Sequence, residues 1–275
     1  MSTYTSITKY ISYQNKKIYC HIIGSGKPVV FIHGFGEDGE VWKNQIEFLK
    51  EKFLLIIPDI PGSGRSEMID DMSIEGMAEV IKYILDSEKL ISKEHSGTIT
   101  IIAHSMGGYI TLAFAEKYLN YLNSFGLLHS TAYADNEEKK DARRKGIEFI
   151  KEHGAFEFLR TTTPNLFSQK TKETNAQMVD EFIGSLSNFS PDALVSYYNA
   201  MIQRPDRTDL LKKATIPVLF IIGEHDNAVP FQDSLQQCYL PEISYIHILS
   251  QSGHLGMLEE ADKTNNALEN FLLDT

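Results

Sequence analysis

Thr98-Ile99-Thr100-Ile101-Ile102-Ala103-His104-Ser105-Met106-Gly107-Gly108 is the stretch whose reading decides the fold of this 275-residue chain. It opens as a short apolar, β-branched run, and from Met106 to about Asn120 the pattern turns helical. A serine therefore stands on a sharp strand-to-helix turn, with small residues two positions away on either side, Ala103 and Gly107. That arrangement is the nucleophile elbow, usually written G-x-S-x-G. Its logic is steric: the serine takes a strained backbone position, and only small neighbours let strand and helix approach. Here Ala103 stands where the motif has glycine and adds one methyl to a tight turn.

Working outward, further apolar runs of the same kind cover residues 28–33, 53–59, 125–129, 217–223 and 243–249. Residues 5–13 and 16–23 are β-rich and meet around Asn15, which suits a hairpin. Residues 255–273 carry helical spacing and close the chain. Short apolar strands, each followed by turn residues and a helix, predict an α/β fold with a mostly parallel eight-stranded sheet flanked by helices. Residues 131–214 break this rhythm. They hold charge runs and amphipathic patterns, such as Ile147, Ile150, Phe156 and Leu159, or Phe182, Leu186, Leu194 and Tyr197. The expected organisation is a core domain of residues 1–130 and 215–275, with a helical cap of residues 131–214 inserted after strand 6.

Composition narrows the function. Acidic residues number 37 against 26 basic ones, a net charge of −11. That argues against nucleic acid as a partner and against docking on anionic membranes. Cys20 and Cys238 are the only cysteines, so a disulfide framework, a zinc knuckle and a CxxC redox site are excluded as organising features. No apolar run reaches the roughly 18 residues that a membrane helix needs. Residues 1–17 are polar, with no apolar core of a secretory signal, so the expected location is cytoplasmic.

Three more stretches bear on chemistry. His33-Gly34-Phe35-Gly36 follows an apolar strand, and its glycines let backbone N–H groups point into a cavity. Ester cleavage needs two such donors for the oxyanion, and the motif geometry names the N–H groups of Phe35 and Met106. Gly223-Glu224-His225-Asp226 and Ser252-Gly253-His254 follow later strands, so their loops share the sheet edge of Ser105. Asp226 is preferred to Glu224 as the orienting acid because it lies out on the loop, with Asp135 as the alternative. His33 and His104 read as supports of loop geometry, and His225 as incidental. Phe35, Trp42 and His129 are the candidates for contact with substrate.

With these residues in view, the chain resembles the α/β-hydrolase superfamily along nearly its whole length. His33-Gly34-Phe35-Gly36 resembles the family's oxyanion loop, and residues 217–226 resemble its P-v-l-x-i-x-G-x-x-D strand and acid. Gly253-His254 resembles its catalytic histidine, and Asp59-Ile60-Pro61-Gly62-Ser63-Gly64-Arg65-Ser66 its D-x-P-G-x-G-x-S turn, which gives Asp59 and Ser63 structural roles. Residues 204–211 look like the return from cap to core. The order serine, aspartate, histidine is that of α/β-hydrolases. The resemblance implies a serine nucleophile, Ser105, a base, His254, and its orienter, Asp226, cleaving a carboxylic ester through an acyl-enzyme without metal or cofactor, and the covering cap suits a small or medium acyl group. Members that open epoxides or displace halide carry aspartate at the elbow, so Ser105 sets those reactions aside. A C–C bond hydrolase or lyase on the same triad, and a non-catalytic ligand receptor, remain alternatives. The expected partner is a small-molecule ester, and the expected state a monomer or homodimer.

Overall fold

The computed structural model describes residues 5–89 and 99–275. Thr98, expected to begin the fifth strand, lies outside the described residues. In chain order the elements are β1 (Thr5–Tyr13), β2 (Lys16–Gly24), β3 (Lys27–Ile32), α1 (Lys43–Leu49), β4 (Phe53–Pro58), α2 (Ile74–Ser87), β5 (Ile99–His104), α3 (Met106–Tyr118) and β6 (Leu122–Leu128). Then come α4 (Glu137–His153), α5 (Ala155–Thr162), α6 (Gln169–Thr174), α7 (Ala176–Ser185), α8 (Pro191–Gln203) and α9 (Thr208–Lys212). The chain finishes with β7 (Val218–Gly223), α10 (Phe231–Gln237), β8 (Ser244–Leu249), α11 (Gly256–Glu259) and α12 (Ala261–Asp274).

The eight strands form one sheet in the order β1-β2-β4-β3-β5-β6-β7-β8. β1 and β2 are an antiparallel hairpin that closes on Gln14 and Asn15, both with positive φ, and β2 also runs antiparallel to β4. All pairings from β4 to β8 are parallel. Side chains alternate between two cores, as the two-residue period of a strand demands. Val30, Ile32, Ile56, Ile101 and Ala103 pack with α2 and α3 on one face. Val29, Phe31, Leu55, Ile57 and Ile102 pack with α1 and α12 on the other. Both faces are covered, which is why the strands read as unbroken apolar runs.

Some boundaries differ from the sequence reading. β6 starts at Leu122, three residues early, because the polar Ser124 finds a buried partner in Thr100 Oγ1 at 2.9 Å across the β5 pairing. The C-terminal helix is two helices, broken at Glu260, whose carboxylate accepts from the Gln251 N–H and the Ser252 hydroxyl. Ile147 and Ile150 are buried in α4, but Gly154, at φ 86°, ends that helix. Phe156 then falls on α5 and faces outward, 39% exposed.

This topology places the chemistry. β3, β5, β6, β7 and β8 all point their C-terminal ends the same way, with β5 central. The loops carrying Gly34, Ser105, His129, Asp226 and His254 therefore leave one edge of the sheet.

Candidate active site

Ser105 links β5 to α3 with φ 49° and ψ −116°. A left-handed φ is costly for a residue with a Cβ, of order 1–3 kcal/mol, and persists only where the surroundings impose it. Here they do: the Ser105 N–H donates to Leu128 O at 2.9 Å, and the Ser130 hydroxyl donates to Ser105 O at 2.7 Å. Two residues on, a Cβ at Gly107 would lie 2.5 Å from Ile32 O and 2.7 Å from His33 O, so the helix can start this close to β3 only with glycine there. Ala103, in the motif's other small position, fits fully buried in β5.

The Ser105 hydroxyl donates to His254 Nε2 at 2.9 Å, and His254 Nδ1 donates to Asp226 Oδ2 at 2.8 Å. Asp226 Oδ1 accepts from the N–H groups of Ala228 and Val229, at 2.8 and 2.9 Å. Burial alone would raise the Asp226 pKa. The facing His254 and His129 outweigh it and hold the carboxyl well below the usual range, so it stays ionised. His129 is the second imidazole on this carboxylate. Its Nδ1 donates to Asp226 Oδ2 at 3.2 Å, while its Nε2 accepts from the Gly256 N–H at 3.2 Å. Those partners define a neutral ring, and burial pushes its pKa down.

The Gly34–Phe35 loop is tied to the same centre. Glu37, buried to 3% exposure, accepts through Oε2 from the Gly34 N–H at 2.7 Å and from His104 Nδ1 at 2.9 Å. His104 Nε2 faces His254 O at 2.8 Å. Both ring nitrogens of His104 thus meet atoms that only accept, so both carry protons and the ring is an imidazolium. Burial alone would lower the His104 pKa, but Glu37 outweighs it and raises it; Glu37 is lowered in return. A Cβ at Gly34 would sit 2.9 Å from His104 Nδ1 and 3.1 Å from Ser105 Cβ, which brings the loop against the serine. The Phe35 N–H takes no part in the loop's hydrogen bonds, and the Met106 N–H, first in α3, has no acceptor within the helix.

The helices between β6 and β7 touch this centre directly. The His254 N–H donates to Leu166 O at 2.7 Å, and Glu259 bridges the N–H groups of Ser168 and Gly253, at 2.8 Å each. The Phe35 ring stacks on Tyr198 of α8 at 4.5 Å between centroids, nearly parallel.

Two candidates for substrate contact are corrected. Trp42 is fully buried, with its ring edge-on to Phe31 at 5.1 Å on the α1 and α12 side of the sheet, so it belongs to the core. His129 is 2% exposed and lies behind Asp226 instead of lining an opening. Asp135, the alternative acid, has its carboxylate engaged by Arg143 Nε at 2.5 Å and Arg204 Nη2 at 3.0 Å. Asp59 accepts from the N–H groups of Gly39 and Arg65 and so holds a turn. Glu37 carried no motif; its one signal was an acid three residues beyond Gly34 in a glycine-rich loop.

Among the described residues, His129, Asp226 and His254 could come together on a metal, since their ligand-type atoms lie within 4.8 Å of one another. Both Nδ1–H groups already point at Asp226 Oδ2, which fills the gap a cation would use.

Comparison with known proteins agrees with this architecture. A family model described as the alpha/beta hydrolase family matches residues 29–267. A 3-oxoadipate enol-lactonase of Acinetobacter baylyi is 24% identical, covering 94% of this chain and 94% of its own. Lipase 1 of Psychrobacter immobilis is 27% identical over 90% of this chain and 77% of its own. A thermophilic esterase of Thermogutta terrifontis, solved with malate bound, superposes with a TM-score of 0.88 at 26% identity, covering 99% of each chain.

Proposed function

The chain belongs to the alpha/beta hydrolase family, and from that premise we propose that it hydrolyses a carboxylic ester of small or medium acyl group, with Ser105 as nucleophile. The observation that carries the reading is the continuous hydrogen-bonded path from Ser105 Oγ through His254 to Asp226. In this reading Ser105 Oγ attacks the ester carbon while His254 Nε2 takes its proton. The oxyanion meets the N–H groups of Phe35 and Met106. His254 returns the proton to the departing alcohol, then takes one from the water that attacks the acyl-enzyme. Asp226 remains ionised throughout, keeps the ring in the tautomer that accepts from serine, and steadies the imidazolium. The steps use only this chain's groups and water.

The same proposal takes residues 131–214 as a cap over a core of residues 1–130 and 215–275. Leu166 and Ser168 at the His254 loop, and Tyr198 against Phe35, support it. Phe35 then contributes both an oxyanion donor and a wall for the acyl group. A panel of esters, thioesters, lactones and β-diketone acids, compared by kcat/KM, tests the reading. Esters leading the panel supports it. Cleavage of a β-diketone acid with no ester turnover overturns it in favour of C–C bond hydrolysis.

A further inference from the structure

Asp135 is buried and lies between two arginines. Arg143 reaches it through Nε at 2.5 Å and Nη2 at 3.4 Å, and Arg204 through Nη2 at 3.0 Å. Among the described residues no other carboxylate is within ion-pair distance of either guanidinium, so the cluster keeps one positive charge unanswered. The two arginines differ in what remains free. Arg204 also donates to Met201 O and Tyr133 O, and its guanidinium lies 3.9 Å above the Tyr109 ring. Among the described residues Arg143 Nη1 has no hydrogen-bond partner, and the guanidinium lies 5.4 Å above the ring of Tyr198. Burial alone would loosen its proton, but Asp135 and the nearby phenols of Tyr109 and Tyr198 outweigh this, and Arg143 stays charged.

The surroundings lead back to the reactive serine. Tyr198 is the ring stacked on Phe35, which follows Gly34 in the loop packed against Ser105. Tyr109 follows Ser105 by four residues along α3, about 6 Å of helix rise. Neither phenol makes a hydrogen bond among the described residues, and neither hydroxyl is among the sealed, unpartnered polar atoms. Arg143 Nη1 and the two phenol hydroxyls thus make no hydrogen bond among the described residues.

We propose that Arg143 Nη1 and the hydroxyls of Tyr109 and Tyr198 bind a carboxylate at the far end of the acyl chain, making the substrates monoesters of short dicarboxylic acids. The proposal rests on the ester-hydrolase reading above and names its substrate class. Charge-assisted hydrogen bonds to a carboxylate are the strong ones, and the two-pronged hold of Asp135 fixes the guanidinium in place beforehand.

The test compares monoethyl glutarate with ethyl 5-methylhexanoate, which replaces the distal carboxylate by a neutral group of the same shape. The wild-type enzyme should favour the anionic ester by about tenfold or more in kcat/KM. Arg143→Gln should bring that ratio near one. Tyr198→Phe, which keeps the ring on Phe35 and removes only the hydroxyl, should lower the ratio several-fold. Binding is read separately, as the rise in Tm with glutarate against that with 5-methylhexanoate, which lacks only the second carboxylate. Glutarate should stabilise more, and the difference should vanish in Arg143→Gln. Equal hydrolysis of both esters with no preference for glutarate overturns the carboxylate site and leaves the ester reading standing. Preferential binding of glutarate without hydrolysis of either ester overturns the ester reading and leaves the carboxylate site.

Discussion

Glu37 Oε2 lies 2.9 Å from His104 Nδ1, a buried ion pair beside the Ser105 turn. The same oxygen holds the Gly34 N–H, and the far side of the ring holds His254 O. One chain of charged hydrogen bonds therefore sets the Gly34 loop, the residue before Ser105 and the backbone of His254 relative to one another. Preorganised donors contribute to catalysis only if they are held where charge develops, so in the proposed mechanism this pair positions the site without touching substrate.

Replacing one partner tests the pair. Glu37→Gln should destabilise the protein by about 3 kcal/mol near pH 6, because a buried charge loses its counterpart. The pKa of His104 is raised above 6.5 in the folded state, so its share of stability is full below pH 6.5 and is lost as pH rises through the folded value. Glu37 is lowered, so its share is present above pH 4.5 and is lost as pH falls through its folded value. The difference between wild type and Glu37→Gln should accordingly be largest near pH 6 and shrink at a pH above the folded value of His104. Urea denaturation at the two pH values measures it, and a pH-independent difference would contradict an ionised pair.

Ser105→Ala should lower turnover of a simple chromogenic ester by at least about 10³-fold, leaving only binding and oxyanion stabilisation. A serine-directed phosphonate should label Ser105 in the wild type. Labelling at another residue would refute the assignment.

Asp226→Asn should leave the fold in place and cost up to about 10⁴-fold in rate, the loss seen when a triad acid no longer selects the right imidazole tautomer. Asp135→Asn should cost far less, since Asp135 is spent on Arg143 and Arg204. Rates for the two variants on one ester decide between the acids, and the reverse ranking would show the acid misassigned.

Acyl length is the last test. His254 is 3% exposed, and Leu166 and Tyr198 close in on the site from outside the sheet. kcat/KM on p-nitrophenyl esters should peak at roughly two to six acyl carbons, each misfitting methylene costing about 1–3 kcal/mol in transition-state binding. A maximum at palmitate, or a jump in rate when substrate forms micelles, would identify the helices over the site as an interfacial lid.

Sequence alone determined the sheet and much of its edge. Six apolar runs and a β-rich hairpin, with turns between them, sufficed for the architecture, because the central strands, buried on both faces, must be apolar along their length. Ser105, Asp226 and His254 stood out because each sits in a short motif after such a strand, and parallel strands deliver those loops to one edge, where the three side chains meet. What lies between the motifs was decided only by the tertiary structure. A tryptophan just beyond a turn reads alike whether it faces an opening or the core, and packing against Phe31 took Trp42 inside. His129 reads as the end of a strand, and its place behind Asp226 exists only once residues 97 positions apart meet. Glu37 and His104 are 67 positions apart, and Asp135 and Arg204 are 69. Local periodicity records which residues face inward; which buried charge meets which depends on long-range contacts formed when the strands and helices pack.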